Sequence, residues 1–359
     1  MRKGNARFGK RDMGYVQTLN SLVLGLFASG EPGFWLDPSD LSTMYQDAAG
    51  TTPVTAVEQP VGRINDKSGR GCNFTQSTTG VRPVLSARVN LLLATATLST
   101  QSVTVTAGSY VLAFSGAGSV ALSGVSSGTK TAGSNTITCT AGTLTLTVTG
   151  SVTLADLRPA DQATGLIPLY QAVVTAANYD TAGFPLYLSG NGTQWMQCAA
   201  QDYTGVNKML VCAGVRKIGT VTAFVNELSA NSGANAGSFY IGTSVSGSND
   251  GILSNGTSYQ GTNASIGTAP YSKVLTGLMD IAAPYLTFRS NGAQVSTNTL
   301  SQGTGNYGNY PAYLFSRAGA SLFLTGNIYQ LIARGSTVAS NAAQISAAES
   351  WTDLKTKAY

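Results

Sequence analysis

Asp37, Asp40, Asp47, Asp202 and Glu227 are the carboxylates that lie near aromatic residues, and they are the first candidates for chemistry. A pair of carboxylates flanking a glycosidic bond can hydrolyse it, one as acid and the other as nucleophile or base. Nothing in the spacing sets any two of these across a cleft, and Asp and Glu together number only 16. The chain holds no histidine, which removes the imidazole base of a catalytic triad and the usual zinc ligand sets. The four cysteines are far apart, with no C-x-x-C pair. Cys139, Cys198 and Cys212 sit in alternating stretches and read as small buried apolar residues; Cys72, in a Gly-rich loop, is harder to place. Asp37-Pro-Ser-Asp40 and Asp66-Lys-Ser-Gly69 offer the oxygens calcium prefers, but without EF-hand spacing they read as turns. The expectation is a protein that is not an enzyme and holds no metal or cofactor.

Binding is the better use of these residues. Gly303-Thr-Gly-Asn-Tyr-Gly-Asn-Tyr-Pro311 sets Tyr307 and Tyr310 beside Asn309. Exposed rings take sugar C–H groups, and the amide takes their hydroxyls. The loop is therefore a candidate glycan site, against the alternative that both tyrosines simply pack.

The elements that must carry such a loop are strands. Residues 207–217, 283–292 and 322–334 alternate apolar with polar between Gly, Asn and Ser turns, as half-buried antiparallel strands do. Phe288 falls on one of them, before a turn at Ser290-Asn-Gly292. Ile328, Leu331 and Ile332 face a core from the next. Charged residues make up only 10% of the chain and glycines number 42, a hydroxyl-rich, turn-rich composition common in extracellular and virion β-proteins.

Between Asn90 and Leu157 the texture changes. Lys130 is the only charge from Val89 to Ala155, and segments 101–116, 119–124, 135–140 and 143–150 put Val, Ile and Leu on one face and Ser and Thr on the other. The expectation is a small β-sandwich module at 90–157, either inserted into a larger domain made of 32–89 and 158–359 or standing in tandem as one of three domains. Two short helices complete the prediction. Asn341 with Gln344 forms a capping-box pattern ahead of Ile345, Ala348 and Trp351. Near the N-terminus, Tyr15, Leu19, Leu22, Val23 and Leu26 recur at helical spacing, with Gly30 as a stop.

Charge is concentrated in front of that first helix. Arg2, Lys3, Arg7, Lys10 and Arg11 stand against Asp12 alone, +4 of the net +5. A short basic tail with no basic face behind it favours docking on a protein over nucleic acid. Residues 1–31 are accordingly expected to form a basic arm and anchoring helix, with Arg2, Lys3, Arg7, Lys10, Arg11, Tyr15, Leu19, Leu22 and Leu26 as the anchor, against the alternative of a helix packed on its own domain. The apolar stretch 22–28 is too short for a convincing secretion signal, and no stretch is long enough to span a membrane.

Phe34-Trp-Leu-Asp-Pro-Ser-Asp-Leu-Ser-Thr-Met-Tyr-Gln-Asp47, then 48–54, Val61-Gly62 and Asp66-Lys-Ser-Gly-Arg-Gly71, resemble tailed-bacteriophage virion structural proteins and their prophage relatives. Trp195-Met-Gln197, Ala213-Gly-Val-Arg-Lys217, Val274-Leu-Thr-Gly-Leu278, the 302–311 loop and Trp351 fit the same resemblance. It covers most of residues 31–359. It implies an all-β fold, a concanavalin A-like (laminin-G-like) jelly-roll sandwich interrupted by the small module, which itself resembles carbohydrate-binding-like modules of phage fibres. By that resemblance the chain is a tail fibre or tail/baseplate appendage contributing to host-surface glycan attachment. The alternative is a capsid decoration, head fibre or collar protein. The implied partners are other phage virion proteins, a host-surface glycan and further copies of the chain, with no nucleic acid and no membrane. Its place is the virion, assembled in the host bacterial cytoplasm. The resemblance brings no catalytic residues.

Overall fold

Alternating strands dominate the computed structural model, which describes residues 19–87, 90–160, 186–356 and 358. Every pairing among them is antiparallel. One sheet of eight strands runs in the order Ala293–Asn298, Tyr285–Ser290, Tyr271–Asp280, Lys208–Lys217, Thr325–Ser336, Leu186–Asn191, Val84–Ala87, with Gly33–Leu36 also pairing Thr325–Ser336. A second, of nine, runs Tyr259–Ala264, Asn249–Asn255, Ser238–Ser246, Ala223–Leu228, Asn309–Leu314, Met196–Asp202, Phe74–Thr75, Arg63–Ile64, Met44–Tyr45. The two share one core. Phe34, Val211, Leu275, Phe288, Ile328 and Leu331 enter it from the first sheet, and Val225, Phe239, Ile241, Ile252 and Leu314 from the second. The fold is an all-β sandwich of jelly-roll type.

Period-two alternation explains which residues go where. In Lys208–Lys217, Met209, Val211, Ala213 and Val215 point into the shared core, while Leu210 and Cys212 point the other way. Both faces of this strand are buried, because two helices cover the outer side of its sheet. Leu19, Val23, Leu26 and Phe27 from the N-terminal helix (residues 19–25) and the turn after it meet Trp35, Leu210, Cys212, Val274 and Ile332 there, together with Ala348 and Trp351 of the C-terminal helix Ala342–Thr356. That second helix is capped as its sequence predicts: Gln344 N–H donates to Asn341 Oδ1 at 2.9 Å, and Asn341 N–H donates to Gln344 Oε1 at 3.0 Å. Trp351 packs edge-on against Trp35, with centroids 5.6 Å apart. With its amide oriented to suit its neighbours, the buried Gln330 accepts from both indole N–H groups. Gly214 lets the helix come this close, since a Cβ there would lie 1.9 Å from Thr356 Oγ1.

The N-terminal stripe is thus corrected. Leu19 and Leu26 are 5% and 1% exposed, used up by the chain's own sheet and not available to anchor it elsewhere. Leu22 is half exposed. Arg334 fastens the segment by donating from Nε to the Leu26 carbonyl at 2.7 Å and pairing with Glu31 at 2.9 Å. Arg2, Lys3, Arg7, Lys10, Arg11 and Tyr15 lie outside the described residues.

The third sheet holds Thr153–Pro159, Gly108–Gly124, Gly142–Thr149 and Gln101–Val105 in that order, with Gly128–Cys139 on the other flank of Gly108–Gly124. Among the described residues these five strands pair with one another and, through a single bridge from Thr153, with Thr97. Their core, with Leu112, Phe114, Val120, Leu144, Leu146 and Leu157, shares no residue with the other two clusters. Segment 101–116 divides into the strand Gln101–Val105 and the start of Gly108–Gly124, which runs on through 119–124 with a register shift between Phe114 and Ser119.

Cys198 is corrected as well. It forms a disulfide with Cys72, 126 residues away in the chain; Cys139 and Cys212 are free and buried. The turn that carries Cys72 is built around Asp66, whose carboxylate accepts from the backbone N–H groups of Trp35, Ser68, Arg70 and Gly71.

Candidate functional site: an aromatic and arginine face on the nine-stranded sheet

The 303–311 loop does not form the predicted site. Tyr307 is 1% exposed; its hydroxyl is 2.7 Å from Ser254 Oγ, and its ring packs edge-on against Phe239 in the shared core. Burial raises its pKa far above the usual phenol value. Tyr310 is half-buried against the same core and donates to the Ala236 carbonyl at 3.0 Å. Only Asn309 is exposed. The glycines and asparagines turn the chain here, and both tyrosines pack.

The candidate acids are each consumed locally. Lys67 Nζ bridges Asp37 at 3.2 Å and Asp40 at 2.7 Å, and Lys355 of the C-terminal helix lies 3.7 Å from Asp37. Asp47 accepts from the N–H groups of Thr51 and Thr52, bonds that hold its pKa well below the usual carboxylate value. Asp202 is lowered in the same way by the Thr204 hydroxyl and N–H.

Glu227 is different, because of where its strand puts it. Residues facing the shared core alternate with residues facing outward, and the register aligns outward-facing Gln197, Tyr313, Glu227 and Tyr240 in one row across four adjacent strands. Glu227 is fully buried. Desolvation raises its pKa, opposed by hydrogen bonds from Ser232 and Arg317. Ser232 donates from N–H at 2.8 Å and from Oγ at 2.6 Å, and Arg317 pairs with it at 3.1 Å. The Arg317 guanidinium also lies 4.8 Å from the centroid of Phe224, which stacks on Tyr240 at 4.3 Å with 18° between the planes. On the other side of the row, Trp195 leans on Tyr313 at 6.5 Å.

The loop that carries Arg317 reaches this face through special backbone. Phe315 and Ala318 have φ of 63° and 54°, and Arg317 closes the loop by pairing with Ser321. Gly319 rests on the Trp195 ring, where a Cβ would come within 2.5 Å of the indole. The loop thereby sets Arg317 on Glu227 and Gly319 on Trp195, positions far apart in sequence.

What the face leaves unused matters most. The Tyr240 and Tyr313 hydroxyls, Trp195 Nε1, Arg317 Nη1 and the Gln197 side-chain amide make no hydrogen bond to any described residue, while Trp195, Tyr240 and Arg317 are half-buried and Gln197 is exposed. Desolvation, together with the Glu227 charge, lifts Tyr313 above the usual phenol pKa. Desolvation also carries Tyr240 to about 12, the Arg317 charge opposing and Glu227 assisting. Both hydroxyls therefore stay protonated at neutral pH. Rings with unsatisfied polar groups between them can hold a polyhydroxylated ligand. Of these residues, Glu227 stood among the candidate acids and Trp195 and Gln197 among the quoted motifs. Tyr240, Tyr313 and Arg317 carried no signal, since only strand register brings them together.

No protein-family model and no curated protein matches the chain. Solved structures do. A native heptameric SAP-like pentraxin from Limulus polyphemus is 14% identical, over 44% of this chain and 78% of that one, with a TM-score of 0.36. Ruminococcus gnavus IT-sialidase CBM40 bound to alpha2,3 sialyllactose is 11% identical, over 42% and 96%, with a TM-score of 0.31. The NanB sialidase from Streptococcus pneumoniae is 17% identical over 39% of this chain but only 23% of the sialidase, at 0.31. These likenesses are partial, and the fold assignment rests on the strand pairings themselves.

Proposed function

We propose that this chain is a non-enzymatic glycan-binding component of a bacteriophage particle, a tail fibre or tail/baseplate appendage that contributes to host-surface attachment. The observation that carries the glycan reading is the outward row of the nine-stranded sheet, where half-buried rings flank hydrogen-bonding groups that the protein leaves unused. A sheet face of this kind binds without catalysing. The carboxylates that hydrolysis would need are committed to Lys67, to threonines and to Arg317. The particle reading is supported by the sequence resemblance of 34–71 and the later segments to phage structural proteins. Under it, Arg2, Lys3, Arg7, Lys10 and Arg11 steer the chain onto a neighbouring virion protein, and several copies act together, because single sugar sites are weak and multivalency raises avidity.

The test is direct. The purified chain, screened on an array of bacterial surface polysaccharides, should bind a subset of them. Trp195→Ala should weaken that binding about tenfold or more, a loss of about 1.4 kcal/mol, with the melting curve little changed. Binding that survives both Trp195→Ala and Tyr240→Ala places the site elsewhere, and a chain that binds no polysaccharide favours a decorating role on the particle.

A further inference from the structure

We infer that the face on the nine-stranded sheet selects saccharides bearing an acetamido group over neutral hydroxyl-only sugars and over acidic sugars. The inference rests on the glycan reading above and asks what chemistry the open valences demand. An indole N–H only donates, and so does a guanidinium. The phenols of Tyr240 and Tyr313 keep their protons. The only outward carboxylate in the row, Glu227, already accepts from both Ser232 donors and from Arg317. Apart from the phenol oxygens and the amide oxygen of Gln197, the free groups offer hydrogens. A donor-rich site is served best by a ligand oxygen that only accepts. A sugar hydroxyl brings its own hydrogen, for which this face has few acceptors. A carbonyl oxygen brings two lone pairs and no hydrogen.

Two kinds of sugar carry such an oxygen, the acetamido sugars and the uronic or nonulosonic acids. Charge decides between them. Arg317 is held 3.1 Å from Glu227, so the cation a ligand carboxylate needs is already neutralised. Moving a carboxylate from water onto a half-buried face carries a desolvation penalty, which an uncompensated cation offsets and a paired one does not. An amide carbonyl loses less on leaving water. The acetamido methyl also fits the surroundings, since the half-buried rings of Tyr240 and Trp195 offer apolar surface beside the donors.

The experiment uses the full chain and three soluble probes of matched size: N,N′-diacetylchitobiose, cellobiose and a glucuronic-acid-containing disaccharide, with affinities from titration calorimetry or ligand-observed NMR. Diacetylchitobiose should bind at least tenfold more tightly than the other two. Tyr240→Phe and Trp195→Phe remove one donor each while keeping the ring, and together should bring the preference down towards parity at an unchanged melting temperature. Arg317→Met is paired with Glu227→Gln so that no buried charge is left alone, and it should erase the preference. If diacetylchitobiose and cellobiose bind alike, the acetamido inference is overturned while the glycan reading stands. If the uronate-bearing sugar binds best, Arg317 acts as a free cation and the inference is overturned. If no saccharide binds, the glycan reading falls and takes the inference with it.

Discussion

Tyr307 and Tyr240 show how far single residues can be read. Tyr307 lies between Asn306 and Gly308 and Tyr240 between Phe239 and Ile241, yet only their neighbours across the sheets decide that the first is buried and the second opens onto a face. Local chemistry was easier to read where partners are close in sequence: the Asn341–Gln344 cap and the turn at Asp66 stand as the residue types imply. The pairing of Glu227 with Arg317, ninety residues on, had no such local sign. The same contrast sets a pH dependence. The pKa values of Asp47 and Asp202 are lowered from 3.8 by hydrogen bonds from Thr51 and Thr204. Their contribution to stability is therefore present above that value and lost as the pH falls through the lower folded value. Glu227, raised from 4.5 by burial, has the opposite sign: its contribution is full below 4.5 and declines as the pH rises through the raised value. Asp47→Asn should accordingly flatten the acid limb of a stability profile measured by denaturant titration between about pH 5 and pH 2. An unchanged acid limb would mean that the threonine bonds persist in the unfolded chain.

At the scale of elements, strand identity and the turn at Asn291-Gly292 were legible because alternation and turn chemistry are local signals. Both turn residues take positive φ, 48° and 74°, as a tight hairpin requires. The function of the N-terminal helix was not legible. An apolar stripe at helical spacing looks the same whether it meets another subunit or its own sheet, and the sheet that receives it is assembled from strands nearly two hundred and three hundred residues later. Its burial changes what truncation should do. Leu19, Val23, Leu26 and Phe27 are all 5% exposed or less, and full burial of such a side chain contributes on the order of 1.5–3 kcal/mol before ordering costs. Deleting residues 1–27 should lower the melting temperature by on the order of 10 °C and expose an apolar sheet face that binds a hydrophobic dye. A truncated chain that melts like the parent would show that the C-terminal helix covers the sheet alone.

For the whole molecule, the shift in composition at 90–157 predicts a separate unit, and the core cluster of the third sheet shares no residue with the other two. We expect this module to contribute its own stability. Replacing 90–157 with a short Gly-Ser link should leave the two-sheet sandwich folded, with near-ultraviolet dichroism retained; a molten or insoluble remainder would mean that the two share stabilising contacts. Composition says nothing about what crosses between segments of the larger domain, and there the disulfide was missed, because a Gly-rich loop and a strand separated by the module share no pattern. The bond from Cys72 to Cys198 spans everything from the end of the first jelly-roll segment to the resumption of the sandwich. Under oxidising conditions, proteolytic cleavage at one point within the module or the stretch after it cannot release a fragment. The two pieces stay covalently attached, so the sandwich keeps its early and late segments together after a single cut between the two cysteines.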